Sequence, residues 1–443
     1  MKTIGVFTVG GSPAPIVNAI KETNFDFIYF ICSSGKSEVA SERIVDGEKL
    51  KDNEIIIVRE CNLTSEQYEK ILLPVDIIDD LNETFKEIEK QLISRINERF
   101  PEKKTIKVIA NYTGGTKTMS VALVLVSIFQ EGWELCFNAG QRTNLTKIDS
   151  GDFPVAINKM NLLYRIDKTY FDSLMKGYYY EEIIEKTKTY LKYPLNHETR
   201  NEIMLIRNIL YAFVLWDKFQ HEGAYEEFER ILKAITKDSP VQKSVVKYYL
   251  WLKQILGKKE PFHGYERVID LMMNAERRAE QERYDDAVAR YYRAIEMIAQ
   301  LRLKLSYGID NSKINCDELK IDVQNSKFNV QTEKAIEFLR EECKKNSEDG
   351  ILKLALTKSY ELLGSMDDPV GKLYLERKNK LLDCLKSRNN SILAHGLTPI
   401  LKEEFREIKD QFHNFLTDAL KAAGVKDFAQ ALQFPQALKD IGF

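Results

Sequence analysis

Asn111-Tyr112-Thr113-Gly114-Gly115-Thr116-Lys117-Thr118-Met119-Ser120 sets paired glycines and a row of hydroxyls between two apolar runs. Before it lies Thr105–Asn111 (TIKVIAN), rich in the residues that favour a pleated strand; after it, Lys117–Gln130 carries apolar residues throughout, as a buried helix does. The segment therefore reads as a strand-to-helix junction. Working outward, Ile4–Val9 repeats the arrangement: an apolar strand ends on Gly10-Gly11-Ser12-Pro13, and Pro15 to Ile20 opens a helix. Phe25–Cys32 and Glu54–Val58 read as further strands, Asp76–Phe100 as a helix and Glu134–Asn138 as a fifth strand. Continuous apolar strands alternating with helices predict a mainly parallel sheet covered on both faces.

Beyond Lys159 the character changes to helix after helix, punctuated by Pro194, Pro240, Pro261, Pro369 and Pro399. The expected architecture is multidomain: α/β over residues 1–160, a helical connecting region over 161–265 and an all-helical domain over 266–443, with a boundary where Gly257-Lys-Lys-Glu-Pro261 interrupts the pattern. Tyr225 and Tyr284 open two similar segments, but their spacing is far from the ~34 residues of helical repeat arrays, so a solenoid is rejected.

Composition narrows the function. Of 443 residues, 65 are Lys or Arg and 67 Asp or Glu, which argues against a surface built to grip long nucleic acid through released counterions. No run approaches the ~20 apolar residues of a membrane span, and Met1–Val9 reads as a strand rather than a secretory signal. The six cysteines are scattered and without Cys-x-x-Cys, so neither a disulfide framework nor a zinc site is expected, and a reducing cytoplasm is the expected location. With five histidines and no His-rich cluster, no metal or organic cofactor is expected.

In an open parallel sheet, ligands bind where strands end and helices begin. Both glycine turns stand at such places. Glycine lets the backbone approach a ligand, Thr116 is a suitable helix N-cap, and free N–H groups together with Lys117 suit a phosphate. Spacing alone leaves open a tight turn without a ligand. A P-loop is excluded, because Thr116 and Asn111 stand where its glycines belong. The Gly-Gly-Ser-Pro turn after the first strand, with Asn-Tyr-Thr-Gly-Gly-Thr-Lys-Thr-Met-Ser after a later one, resembles the CARF domains of type III CRISPR-associated proteins. That resemblance implies a Rossmann-like dimer that binds a cyclic oligoadenylate, tetramer or hexamer. It implies a ligand-binding set of Gly10, Gly11, Ser12, Gly114, Gly115, Thr116 and Lys117, with Arg142 and Asn144 from the segment after the fifth strand.

The second constellation is Lys386-Ser387-Arg388-Asn389-Asn390-Ser391-Ile392-Leu393-Ala394-His395-Gly396. Read as one helix ending at Gly396, it places Arg388 and His395, seven apart, on a shared face. Histidine titrates near neutrality and suits proton transfer from a ribose 2′-hydroxyl; arginine offers a forked, permanent charge to phosphoryl oxygens. An Arg and a His at this spacing also occur in many helices of no such role. The pattern Arg-Asn-x5-His resembles the signature of HEPN ribonucleases, and Tyr284–Gln300 is similar to the first long helix of such domains. The resemblance implies catalytic Arg388, Asn389 and His395, metal-independent cleavage of single-stranded RNA to a 2′,3′-cyclic phosphate, and a homodimer whose two motifs form one site. It leaves two alternatives standing: a ring nuclease acting on the ligand itself through Ser12, Thr116 and Lys117, and a catalytically silent sensor that regulates a partner.

Overall fold

The computed structural model describes residues 1–35, 40–49, 54–102, 105–139, 152–317, 332–393, 396–425 and 431–443. The chain divides into two compact units, Met1–Asp167 with Tyr190–Thr199, and Lys168–Thr189 with Arg200–Phe443. The helices between 161 and 265 are apportioned to these two units.

The first unit is a six-stranded sheet of β1 (Lys2–Thr8), β2 (Phe27–Ser34), β3 (Tyr68–Pro74), β4 (Ile106–Asn111), β5 (Glu134–Ala139) and β6 (Phe153–Ile157). Their order is β3-β2-β1-β4-β5-β6, parallel throughout except β6, which runs antiparallel along β5. Strand residues alternate between two cores. Ile4, Val6, Tyr29 and Ile31 pack with Leu92 of α4 (Leu81–Arg99) and Leu123 of α5 (Lys117–Phe129). Phe7, Phe30 and Cys32 pack on the other face with Ile16 and Ile20 of α1 (Ala14–Glu22). Both faces are covered, which is why the central strands read as unbroken apolar runs.

Glu54–Val58 is not a strand. Its second half opens a single helical turn, Ile57–Glu60, with Ile56 and Ile57 buried. A short apolar run suits a buried turn of helix as well as a buried strand. The third strand is instead Tyr68–Pro74, at the sheet edge. Glu69 and Lys70 lie on it and pair with Arg95 and Asp46, each at 2.7 Å, which explains its weak apolar signature.

The second unit is helical. Phe213 and Trp216 of the helix His197–Asp217 pack with Phe228, Tyr248 and Phe434, ring centroids 4.8–6.4 Å apart. Glu266–Glu280 and Tyr284–Tyr307 form a tight antiparallel pair, and the latter also packs against Leu356–Ser365, Pro369–Asn390 and Lys402–Ala422. Tyr360 and Tyr374 stack at 4.1 Å at the centre of that bundle, with Phe415 edge-on. One expectation fails here: Cys316 and Cys343 form a disulfide, Cα atoms 5.8 Å apart. Twenty-seven residues of separation gave no spacing signal, but the chain returns through the helix Glu333–Asn346 and brings the two sulfurs together. No helix among the described residues is long and apolar enough to cross a membrane.

Candidate functional site

The strand order reverses between β1 and β4, and the two glycine turns leave the sheet side by side at that point. A doubly wound sheet opens its crevice there, since the flanking helices depart to opposite faces. Val9, Gly10, Gly11, Gly115, Thr116 and Met119 line a cleft of about 280 Å³, closed on its far side by Ser33, Ser41 and Ile78. The glycines are demanded by proximity. A Cβ on Gly10 would stand 2.7 Å from the Gly115 nitrogen, and one on Gly114 would stand 2.2 Å from the Thr8 carbonyl oxygen. Gly115 takes φ +81°, a conformation that glycine adopts without a steric penalty.

Side chains beyond the glycines hold this shape. Thr8 and Ser120 each donate to the Gly114 carbonyl at 2.7 Å. Thr113 Oγ1 donates to Asn111 Oδ1 at 2.6 Å and accepts from the Asn138 backbone N–H at 2.7 Å. Asn138 also donates to Asp152 Oδ2 at 2.7 Å and to the Pro15 carbonyl at 2.6 Å. Thr8, Asn138 and Asp152 escaped the sequence reading, because their partners lie far along the chain or in other elements. Thr116 caps α5 as expected, its hydroxyl accepting from Met119 N–H at 3.2 Å. Lys117 follows it, exposed and without an ion-pair partner among the described residues. Gly10, Gly11, Gly115 and Thr116 are thus brought together around the cleft, with Gly114 buttressing it, Ser12 exposed just beyond the first turn, and Lys117 at the helix start. Arg142 and Asn144 lie outside the described residues. Gly114→Ala should cost about 1–3 kcal/mol of stability, read as a lower unfolding midpoint in urea, because the added methyl group meets backbone that cannot step aside.

In the second unit, Arg388 and Asn389 sit in the last turn of the helix Pro369–Asn390. That helix does not run to Gly396. Ser391 is extended (φ −81°, ψ 162°), so the shared helical face expected for Arg388 and His395 does not exist. Asn389, Asn390 and Ser391 favour local side-chain hydrogen bonds over helix continuation, and here that preference wins. The chain then doubles back. Gly396 N–H donates to the Ser391 carbonyl at 3.2 Å, and Thr398 N–H to the Asn390 carbonyl at 3.1 Å. A Cβ on Gly396 would stand 2.0 Å from the Asn390 oxygen, so only glycine fits this return. His395 lies outside the described residues; its neighbour Gly396 is held against the helix end that carries Arg388.

Arg388 is aimed by the helix Tyr284–Tyr307. Its guanidinium carbon lies 4.6 Å from the ring centroid of Tyr292, a cation–π contact that contributes about 0.5–2 kcal/mol. One of its terminal nitrogens donates to Asn389 Oδ1 at 3.1 Å, while its buried Nε has no partner among the described residues. Burial, and then a hydrogen bond to Glu296, push the Tyr292 hydroxyl up to about 12, so the ring stays neutral beneath the cation. An arginine with spare donors beside the polar Asn389 side chain is equipped to take a phosphoryl oxygen. Among the described residues no group of three His, Cys, Asp or Glu is arranged to hold a metal ion.

The chain thus joins a Rossmann-like sheet, with a glycine crevice at its switch point, to a helical domain with a polar Arg-Asn helix end. Residues 259–418 match the family model described as the Csm6 HEPN domain. Among solved structures, Enterococcus italicus Csm6 bound to cyclic hexa-2′-fluoro-hexa-dAMP is similar, with a TM-score of 0.61 at 12% identity over 97% of this chain and 96% of that one. No curated protein matches the chain.

Proposed function

We propose that the chain is a cytoplasmic, metal-independent endoribonuclease of CRISPR antiviral defence, switched on by a cyclic oligoadenylate in the crevice of the first unit. The observation that carries the reading is the setting of Arg388: a guanidinium supported from behind by Tyr292, with unused donors, at a helix end to which the chain returns immediately after His395. In the proposed reaction His395 takes the proton of a ribose 2′-hydroxyl, and the 2′-oxygen attacks the adjacent phosphorus. Arg388 neutralises the charge gathering on the phosphoryl oxygens, and Asn389 holds the phosphate. The bond to the 5′-oxygen breaks, that oxygen gains a proton, and the products are a 2′,3′-cyclic phosphate and a 5′-hydroxyl.

Two further observations support the arrangement. Ile392, Leu393, Leu397 and Leu401 are exposed around this helix end, an apolar rim suited to a second copy bringing its own Arg388 and His395. The crevice offers backbone N–H groups and Thr116, with Lys117 making no ion pair among the described residues, as a run of phosphates requires. The similar Csm6 holds a cyclic hexanucleotide analogue, so the hexamer and the tetramer are both activators to test.

Cleavage of single-stranded RNA should persist in excess EDTA and leave cyclic phosphate ends, read by resistance of the product to phosphatase until mild acid opens the ring. Activity lost to the chelator and restored by magnesium or manganese would assign the reaction to a metal site instead.

A further inference from the structure

A second basic site lies in the helical unit, sharing no residue with the glycine crevice or the Arg388 helix end. Where Glu266–Glu280 turns back into Tyr284–Tyr307, four arginines gather: Arg277, Arg278, Arg283 and Arg290. Two carboxylates serve them. Asp217 accepts from Arg277 Nε at 2.7 Å and from Arg278, and Asp286 accepts from Arg290. Asp217 also accepts from Asn274 at 2.9 Å, which leaves it little further capacity. Arg283 has no ion-pair partner among the described residues.

Two of the four are buried. Arg277 is fully enclosed, its guanidinium 3.6 Å from the Phe434 ring centroid, and Arg278 is more than nine-tenths buried. Arg278 Nε has no hydrogen-bond partner among the described residues, although this residue lines an open cleft of about 350 Å³. A buried donor without a partner costs about 1–3 kcal/mol, more when charged, a cost that an acceptor reaching this cluster would offset. Burial, and then the neighbouring Arg278, hold Arg290 down at about 10, as an under-neutralised cluster requires. Tyr178 and Tyr179 line the same cleft, while Lys218 and Glu181 pair with each other at its rim. The cleft is of a size found for small-ligand sites.

We infer that this cleft is a nucleotide-phosphate site, in which Arg278, Arg283 and Arg290 take phosphoryl oxygens and the tyrosine wall takes the base. Forked guanidiniums match phosphate geometry, and aromatic faces accept any base. The phosphate has two sources, a free mononucleotide or the end of an RNA strand.

Calorimetry on the full chain tests the inference with AMP, adenosine and a 5′-phosphorylated deoxyadenosine dinucleotide, which lacks the 2′-hydroxyl needed for cleavage. AMP should bind and adenosine should not. Arg283→Glu, at an exposed position with no ion pair to lose among the described residues, should weaken AMP by at least about tenfold with an unchanged unfolding midpoint. Lys117→Glu, in the glycine crevice, should leave AMP binding as it was. Tighter binding of the dinucleotide than of AMP assigns the phosphate to a strand end; equal or weaker binding assigns it to a free nucleotide. No heat with AMP, equal binding of adenosine, or AMP binding lost through Lys117→Glu but untouched by Arg283→Glu would overturn the inference.

Discussion

Arg388→Ala and His395→Ala should each reduce RNA cleavage by about 10²–10⁴-fold while leaving the fold and cyclic oligoadenylate binding intact. The expected size follows from what each side chain supplies only in the transition state. Removing the arginine leaves the growing phosphoryl charge without a permanent cation, and removing the histidine leaves the 2′-hydroxyl without a base at neutral pH. Neither change should cost much stability. Arg388 stands at a helix end with one neighbouring hydrogen bond and one ring contact, each contributing about 1 kcal/mol. The ring contact gives a finer test. Tyr292→Phe keeps an aromatic face under the guanidinium and should retain most activity, whereas Tyr292→Ala should lower kcat more than it raises KM. Single-turnover cleavage of labelled RNA, with circular dichroism as the check on folding, reads all of these. Variants of Arg388 and His395 that cut at the parental rate would remove this helix end from the chemistry.

Lys117→Glu should abolish stimulation by low concentrations of cyclic oligoadenylate and leave basal cleavage untouched. A charge-assisted hydrogen bond to phosphate contributes about 1.5–3 kcal/mol, so its loss moves the activation midpoint roughly ten- to a hundredfold, and reversal of the charge adds to this. Lys117 opens α5 beside the cleft, exposed, and makes no ion pair among the described residues, so the change acts on the ligand and not on the sheet. Linkage then fixes the form of the result: a ligand shifts the active population only by its differential affinity for the two states, so activity should return at higher concentration. Dose–response curves beside direct calorimetry decide it, and an unchanged midpoint would exclude the crevice from activation.

Much of the first unit was legible because its central strands are buried on both faces, so that Ile4–Phe7 and Phe27–Cys32 carry no charged interruption. The edges were not. Tyr68–Pro74 spends Glu69 and Lys70 on ion pairs, while β6 is a short antiparallel strand with Phe153 exposed, and neither keeps the apolar signature of a core strand. The crevice was legible through its glycines, since a backbone approach this close admits no other residue. Its supports were not, because Thr8 meets Gly114 across 106 positions and Asp152 meets Asn138 across strands. At Arg388 the sequence spacing suggested a longer helix than the chain forms. Seven-residue spacing fits two helical turns, but Asn389-Asn390-Ser391 ends the helix, and Gly396 is bonded back to that helix end. The Cys316–Cys343 pair left no local trace, since tertiary folding alone makes them neighbours.

In the proposed mechanism, a ligand in the first unit governs RNA cleavage in the second. Its most direct test is the rate at which the full chain cuts labelled single-stranded RNA in EDTA, alone and with cyclic tetra-adenylate or cyclic hexa-adenylate. Expected are slow cleavage alone, saturable stimulation by one of the two rings, and a stimulated rate lower by about 10²–10⁴-fold in His395→Ala. A rate that neither ring changes, or stimulation to the parental rate in His395→Ala, would contradict it.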